Sequence, residues 1–371
     1  MPASTPSTRA EPGRSRPGLP ARIGLRALLV AAGVVVGLGI AEVVLRAMDV
    51  VPVERSPLRG YHRGHPRYGW VGTPGRTARF DGDEFDVVIS IADDGYRRQE
   101  VPRPAADRAP TVVFLGDSFT WGWGVERGEV FTDRLQELVG ERWRVVNHGV
   151  NAWGTSQQRL LLEDLLAKAP PDRVVVMFFA NDPEECVDDR GGKRPVHELV
   201  DGRLEARNLP VRTDLTSPFR ELTKRSLALS LTRALSNDLA ALLKQEHPAH
   251  FLEVAAAGEE PRGWPVCAAL IEDMARLCAA AGTEFQVVYI PVAAEVAGAP
   301  DRSIPQRTLL AAVCERAGIP WLDLTPGLHA VWLDSPQHTD LGLPLYFPRD
   351  QHWTAAGHAA GARLIRDWWD R

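Results

Sequence analysis

Five short, largely apolar runs constrain this chain more than any other feature: Val112–Leu115, Arg144–Asn147, Val174–Phe179, Phe285–Pro291 and Trp321–Leu324. Each has strand length. Helix-like stretches fall between and after them, at Val130–Leu138, Ser156–Ala167, Val266–Ala281, Arg307–Arg316 and Ala355–Trp369. Continuous Val/Ile/Phe strands alternating with helices predict an α/β fold, a parallel sheet covered by helices on both faces. In such a sheet the carboxyl ends of the strands share one edge, where α/β proteins bind ligands.

Polar clusters follow the strand-like runs. Gly116-Asp117-Ser118 ends the first, Asn147-His148-Gly149 the second and Asn181-Asp182 the third; Asp350-Gln351-His352 precedes the last helix. A serine hydroxyl is a weak nucleophile at neutral pH and needs a base within hydrogen-bond reach. His352 is the candidate base for Ser118, and Asp350 the carboxylate that would hold its tautomer and stabilise the imidazolium. Thr354 is placed to cap the final helix and fix this loop. Acyl transfer also needs oxyanion donors. The backbone amides of Ser118 and Gly149 and the side-chain amide of Asn181 are the candidates. Taken singly, each cluster has a structural reading: Asp and Ser cap helices, Asn forms turns, and a histidine hydrogen-bonds in the core. Their joint placement at strand ends is what points to a serine hydrolase. His358 and the histidines at 62, 65, 247, 250, 329 and 338 read as structural or surface residues.

These motifs resemble those of the SGNH (GDSL-type) hydrolase family, over about Thr111–Trp369 without an insertion. The first block resembles Gly116-Asp117-Ser118-Phe119-Thr120-Trp121-Gly122-Trp123-Gly124, and the second-block glycine falls on Gly149. The third block falls on Phe179-Ala180-Asn181-Asp182, and the catalytic Asp and His fall on Asp350 and His352. The resemblance implies a three-layer α/β/α sandwich with a five-stranded parallel sheet, and ester hydrolysis. Two positions depart from the family pattern. Phe179 stands where the family has glycine, and the last block is Asp-x-His, with Arg349 where the commoner Asp-x-x-His has its Asp.

Outside this region, residues 1–26 read as a disordered basic tail and Ala27–Met48 as one apolar helix, long enough for a bilayer core of ~30 Å. Glu42 lies toward one end of that helix, where a charge costs less than at the centre. The reading is an uncleaved signal anchor with the main domain outside the cytoplasmic membrane, a cleaved signal peptide being the alternative. Arg9, Arg14, Arg16, Arg22 and Arg26 before the span favour a cytoplasmic amino terminus. Residues 54–110 read as a leader with one strand-like segment, Phe85–Ile91, packing on the hydrolase domain, which takes 111–371. Residues 183–263 interrupt the alternation as a substrate-shaping cap, with an amphipathic helical pattern over Leu227–Lys244.

A net charge of -5, with no basic helix, gives no reason to expect a nucleic-acid partner. No zinc-ligand spacing joins the four cysteines, so no metal or cofactor is expected and buried thiols are the default; Cys186 and Cys314 stay open to a disulfide. The expected function is hydrolysis of a small acyl ester, such as acetyl on an envelope glycan. The alternatives are an O-acyltransferase with the same triad, or a catalytically silent glycan-binding module. Trp121 and Trp153 are candidate sugar-stacking residues, with Trp123 and Trp353 beside the same motifs. The oligomeric state is left open.

Overall fold

The computed structural model describes residues 19–48, 50, 53–54, 61–213, 226–229, 231–232, 260–298, 304–339 and 343–371. Residues 1–18 of the expected tail, most of the amphipathic pattern at Leu227–Lys244, and His247 and His250 lie outside them.

The sheet forms where the apolar runs predict. Strands β6 (Thr111–Leu115), β7 (Arg144–Asn147), β8 (Arg173–Phe178), β11 (Glu284–Tyr289) and β12 (Trp321–Asp323) build one five-stranded sheet in the order β12-β11-β8-β6-β7. Every pairing in it is parallel. β6 lies at the switch point of this order, since the chain leaves it first to β7 on one side and then to β8 on the other. A crevice opens at the carboxyl end of such a strand.

Alternate side chains of each strand face opposite layers. Val112 and Phe114 of β6 join one buried cluster with Phe131 and Leu135 of α3 (Phe131–Val139) and Ile365 of α10 (Ala355–Trp369). Val113 and Leu115 join the other, with Leu161 of α4 (Thr155–Lys168), Ile271 of α6 (Trp264–Ala281) and Leu310 of α8 (Pro305–Ala317). The result is the α/β/α sandwich.

Helix α1 (Leu19–Ala47) begins eight residues before the expected apolar helix, so the expected tail is helical from Leu19 onward. Pro20 does not prevent this, because a first-turn proline removes an N–H that has no helical acceptor anyway. Leu25–Ala47 is long and apolar enough to serve as a membrane anchor or a signal sequence, and the core buries none of it. Glu42, the charge within it, pairs with Arg46 at 2.7 Å and accepts from Ser226 Oγ at 2.9 Å and Ala228 N at 3.0 Å.

Two regions hold more strand than their sequence announces. The leader has five short strands: β1 (Val53–Glu54), β2 (His62–His65), β3 (Gly69–Gly72), β4 (Thr77–Asp81) and β5 (Asp86–Ser90). Its Tyr61, Phe80 and Ile89 bury Trp121 and Trp123 of the nucleophile segment. The insertion carries a hairpin, β9 (Val196–Val200) and β10 (Arg203–Arg207), joined by Asp201 and Gly202 at φ 49° and 75°. An Asp-Gly pair with both φ positive is a strong hairpin signal. All four cysteines are buried and free.

Candidate active site

β6 ends at Leu115, and the chain turns directly into α2 (Ser118–Trp121), a single helical turn. Asp117 caps it, its Oδ1 accepting from Phe119 N at 3.0 Å, and Gly122 ends it at φ 85°. Ser118 therefore opens the helix at the carboxyl edge of the sheet. On the far side of the edge, Thr354 caps α10 by accepting from Gly357 N. The loop before it brings His352 Nε2 to 2.7 Å from Ser118 Oγ. His352 Nδ1 lies 2.6 Å from Asp350 Oδ1. Trp123 Nε1 donates to Asp350 Oδ2 at 3.1 Å, so both oxygens of that carboxylate are engaged.

The shortened spacing from Asp to His is accommodated at Gln351. Its φ is 66°, a left-handed conformation costing a non-glycine residue roughly 1–2 kcal/mol. Three contacts hold it: Gln351 N donates to Phe347 O at 2.9 Å, Gln351 Nε2 to Pro348 O at 2.7 Å, and Phe347 N to His352 O at 2.9 Å. The reversal folds the carboxylate back onto the imidazole only two residues ahead. From the leader, Glu84 accepts from Asp350 N at 2.6 Å and Arg349 N at 3.0 Å.

Burial pushes the Asp350 carboxyl upward, but the charge of His352 and hydrogen bonds from His352 and Trp123 outweigh it and hold the group below its usual range. Asp350 is thus ionised wherever His352 needs a counter-charge. His358 is a contrasting case. Its Nδ1 accepts from Phe131 N at 3.2 Å, and burial lowers its pKa to about 3, so it is a neutral core residue.

Asp182 does not face His352. It accepts from Phe179 N at 2.8 Å, Thr155 Oγ1 at 2.9 Å and Gln158 Nε2 at 3.3 Å, and so ties β8 to α4. Burial, with Glu185 adding to it, pushes Asp182 up to about 7. Burial and the charges of Asp182 and Glu185 also push Asp117 well above its usual value.

A cavity of about 570 Å³ opens on Ser118 and His352, with Asn151, Ala152 and Asn181 in its wall. Apart from Ala152, its apolar lining is Phe119, Phe179 and Val187. The insertion supplies Glu184, Glu185, Asp188, Asp189, Arg190 and Arg262.

Three sequence expectations need correction. Gly149 is not in this wall, and its N–H donates to Asn147 Oδ1 at 2.9 Å, which removes it from the candidate oxyanion donors. It is glycine because a Cβ there would stand 2.5 Å from Trp121 N, which lets the loop press against the nucleophile helix. Ala152, three residues on, is in the wall instead. It lines the cavity at φ 60°, and its N–H, like that of Ser118, donates to no protein acceptor among the described residues. A left-handed alanine gives no signal in sequence. The remaining corrections concern Trp121 and Trp153, which are 1% and 0% exposed and cannot stack on a sugar. Trp121 packs on Tyr61 and Trp123, and Trp153 on Tyr68. Trp123 and Trp353 are buried as well. The leader, through Tyr61, Phe80 and Tyr68, covers Trp121, Trp123 and Trp153.

Residues 114–307, just over half of the chain, match the family model for the GDSL-like lipase/acylhydrolase family. The match includes Ser118 and Asn181 and stops short of Asp350 and His352. No curated protein matches the chain in sequence. Among solved structures it is similar to LAE5, an alpha/beta hydrolase from the metagenome of Lake Arreo, Spain (14% identity, 70% of this chain and 94% of that one, TM-score 0.39). It is similar to a lipolytic protein of the G-D-S-L family from Veillonella parvula (10% identity, 70% and 98%, TM-score 0.39). A catalytic mutant of Axe2, an acetylxylan esterase from Geobacillus stearothermophilus, is also similar (13% identity, 70% and 93%, TM-score 0.40). By the family-model match over half its length, the chain belongs to the GDSL-like lipase/acylhydrolase family and is a carboxylic ester hydrolase.

Proposed function

We propose that the chain cleaves small acyl esters of a polar alcohol through Ser118, His352 and Asp350, with its catalytic domain held outside the cytoplasmic membrane by α1. The observation that carries the reading is the continuous contact from Ser118 Oγ through His352 to Asp350, at 2.7 and 2.6 Å. Ser118 attacks the ester carbonyl while His352 Nε2 takes its proton. Asp350 stabilises the imidazolium, which then protonates the departing alkoxide. Water, deprotonated by the same imidazole, releases the acid from the acyl-enzyme. The oxyanion is met by the N–H groups of Ser118 and Ala152 and by the Asn181 side-chain amide.

A small acyl group fits the walls. Phe119 and Phe179 touch at a centroid distance of 4.4 Å and close the apolar side of the cavity. Phe179 fills the volume that the family's usual glycine leaves open. The remaining lining is polar or charged, which suits a hydroxyl-rich alcohol such as a glycan. Residues 183–263 act as the cap that shapes this alcohol site. Transfer to a second sugar loses its support, because the tryptophans that would have lined an acceptor cleft lie in the core.

Turnover of a p-nitrophenyl ester series, from acetate to octanoate, tests the reading. Activity should be greatest on acetate, fall steeply with chain length, and vanish in Ser118→Ala. Retained activity in Ser118→Ala, or a preference for octanoate, would overturn it. The membrane placement has its own test. The full chain should resist a high-salt wash of membranes, and a carboxyl-terminal reporter should be active only outside the cytoplasm.

A further inference from the structure

We propose that Trp70 of the leader and Arg194 of the insertion are positioning residues that aim the Ala152 N–H into the oxyanion site by pinning the carbonyls on either side of it. This rests on the reading above that attack by Ser118 places the ester's carbonyl oxygen, as an oxyanion, beside Ala152.

Ala152 holds a backbone conformation that alanine rarely adopts, with φ 60°. Such a residue persists only where its surroundings over-determine it. Both peptide groups around Ala152 are fixed from outside the sheet. Trp70 Nε1 donates to Asn151 O at 3.0 Å. The Asn151 carbonyl and the Ala152 N–H belong to one planar trans peptide and point in opposite directions. Holding the carbonyl toward Trp70 therefore turns the N–H away from it. On the next peptide, Arg194 Nη2 donates to Ala152 O at 2.7 Å. With both flanking planes anchored, the rotation at Ala152 is set.

The two donors also hold each other. The Arg194 guanidinium lies 5.4 Å from the centre of the Trp70 ring, and Arg190, which lines the cavity, lies 5.7 Å from it. Trp153 Nε1 donates to Trp70 O at 3.0 Å, so the residue after Ala152 grips the main chain that carries Trp70. Arg194 is fully buried. It also donates to Glu185 O at 3.1 Å and pairs with Glu185 Oε1 at 3.2 Å. A buried charge with this many backbone contacts, two of its partners being residues of the cavity wall, is placed to fix the wall rather than to bind bulk solvent ions.

The test uses the full chain and four proteins: unaltered, Trp70→Phe, Arg194→Met and Ser118→Ala. Trp70→Phe keeps an aromatic ring but removes the indole N–H together with part of the ring. Displacing a reacting group by about 1 Å costs on the order of 100-fold. Each positioning variant should therefore lower kcat on p-nitrophenyl acetate by roughly 10- to 100-fold, with KM within about twofold. Affinity for a small alkyl boronic acid, which forms a tetrahedral adduct on the serine, should fall in parallel with kcat/KM. A merely structural role would lower the melting temperature without this split. Unchanged kcat in folded Trp70→Phe overturns the proposal, as does a rise in KM alone, and this variant decides the matter if Arg194→Met does not fold. Ser118→Ala separates the two levels. If it is inactive while Trp70→Phe is fully active, the positioning is wrong and the serine mechanism stands. If it is active, the serine mechanism itself fails.

Discussion

The site joins two regions built in different ways. Ser118, Asn181 and His352 are delivered by the sheet domain, each next to an element whose position follows from local pattern. Trp70, Glu84 and Arg194 come from the leader and the insertion, and they reach the site through contacts that span 81, 266 and 42 residues of sequence. On the proposed mechanism the sheet region supplies the reacting groups, while the outer region supplies hydrogen bonds that aim them. If that mechanism holds, the chemistry is local in sequence and the geometry is not. Losses should accordingly be graded: orders of magnitude for the inner groups, one to two orders for the groups that aim them, and little for buried polar residues that face only the core.

The largest losses should come from the pair behind the serine. His352→Ala and Asp350→Asn should each lower kcat on p-nitrophenyl acetate by on the order of 10⁴-fold, since an amide at 350 holds the wrong imidazole tautomer. The double variant should be little worse than either, because such residues act as a unit. A few-fold loss in Asp350→Asn would break the comparison by moving a reacting group into the outer region. Next comes Asn181→Ala, with a loss of roughly 10²–10³-fold in kcat if its amide meets the oxyanion. Steady-state kinetics with KM unchanged checks this.

Glu84→Ala should be milder still. It removes the acceptor for the Asp350 and Arg349 amides but leaves Trp123 on the carboxylate. Several-fold lower kcat is expected, with a melting temperature lower by a few degrees. Full activity would show that the leader steadies only the oxyanion side. His358→Ala should cost stability of about 1–3 kcal/mol, from the unpaired Phe131 amide, and leave kcat within a few-fold.

The smallest effect concerns pH. The folded chain keeps protons on Asp117 and Asp182 that the unfolded chain releases near the ordinary aspartate value of ~3.9. Asp182 holds its proton up to about 7. Between those limits the native state binds more protons, so stability falls as pH rises through the window. Thermal melts from pH 4 to 8 should show that slope, and Asp117→Asn should flatten it.

The same division explains what could be read in advance. The five strands and five of the helices carry unbroken apolar runs or helical periodicity, and their observed ends lie within two residues of the sequence reading. Ser118, Asn181, Asp350 and His352 sit beside those ends, so the cavity region was legible too. Ala152 was not, because a left-handed backbone leaves no mark when the residue is alanine. Gly149 drew attention by being glycine, yet its freedom serves close packing on Trp121. The burial of the tryptophans is not legible locally, because it depends on Tyr61, Tyr68 and Phe80, leader residues far away in sequence. The hairpin is signalled in sequence only by its Asp201-Gly202 turn pair, because its strands mix charged and apolar residues.

The central claim is that Ser118 is a nucleophile activated by His352. The most direct measurement is covalent labelling of the full chain by a fluorophosphonate, followed by peptide mapping. The account predicts one stoichiometric adduct on Ser118, formed rapidly in the unaltered chain and slowed by orders of magnitude in His352→Ala, with His358→Ala labelled at nearly the unaltered rate. An adduct on another residue, or equal labelling with and without His352, would contradict it.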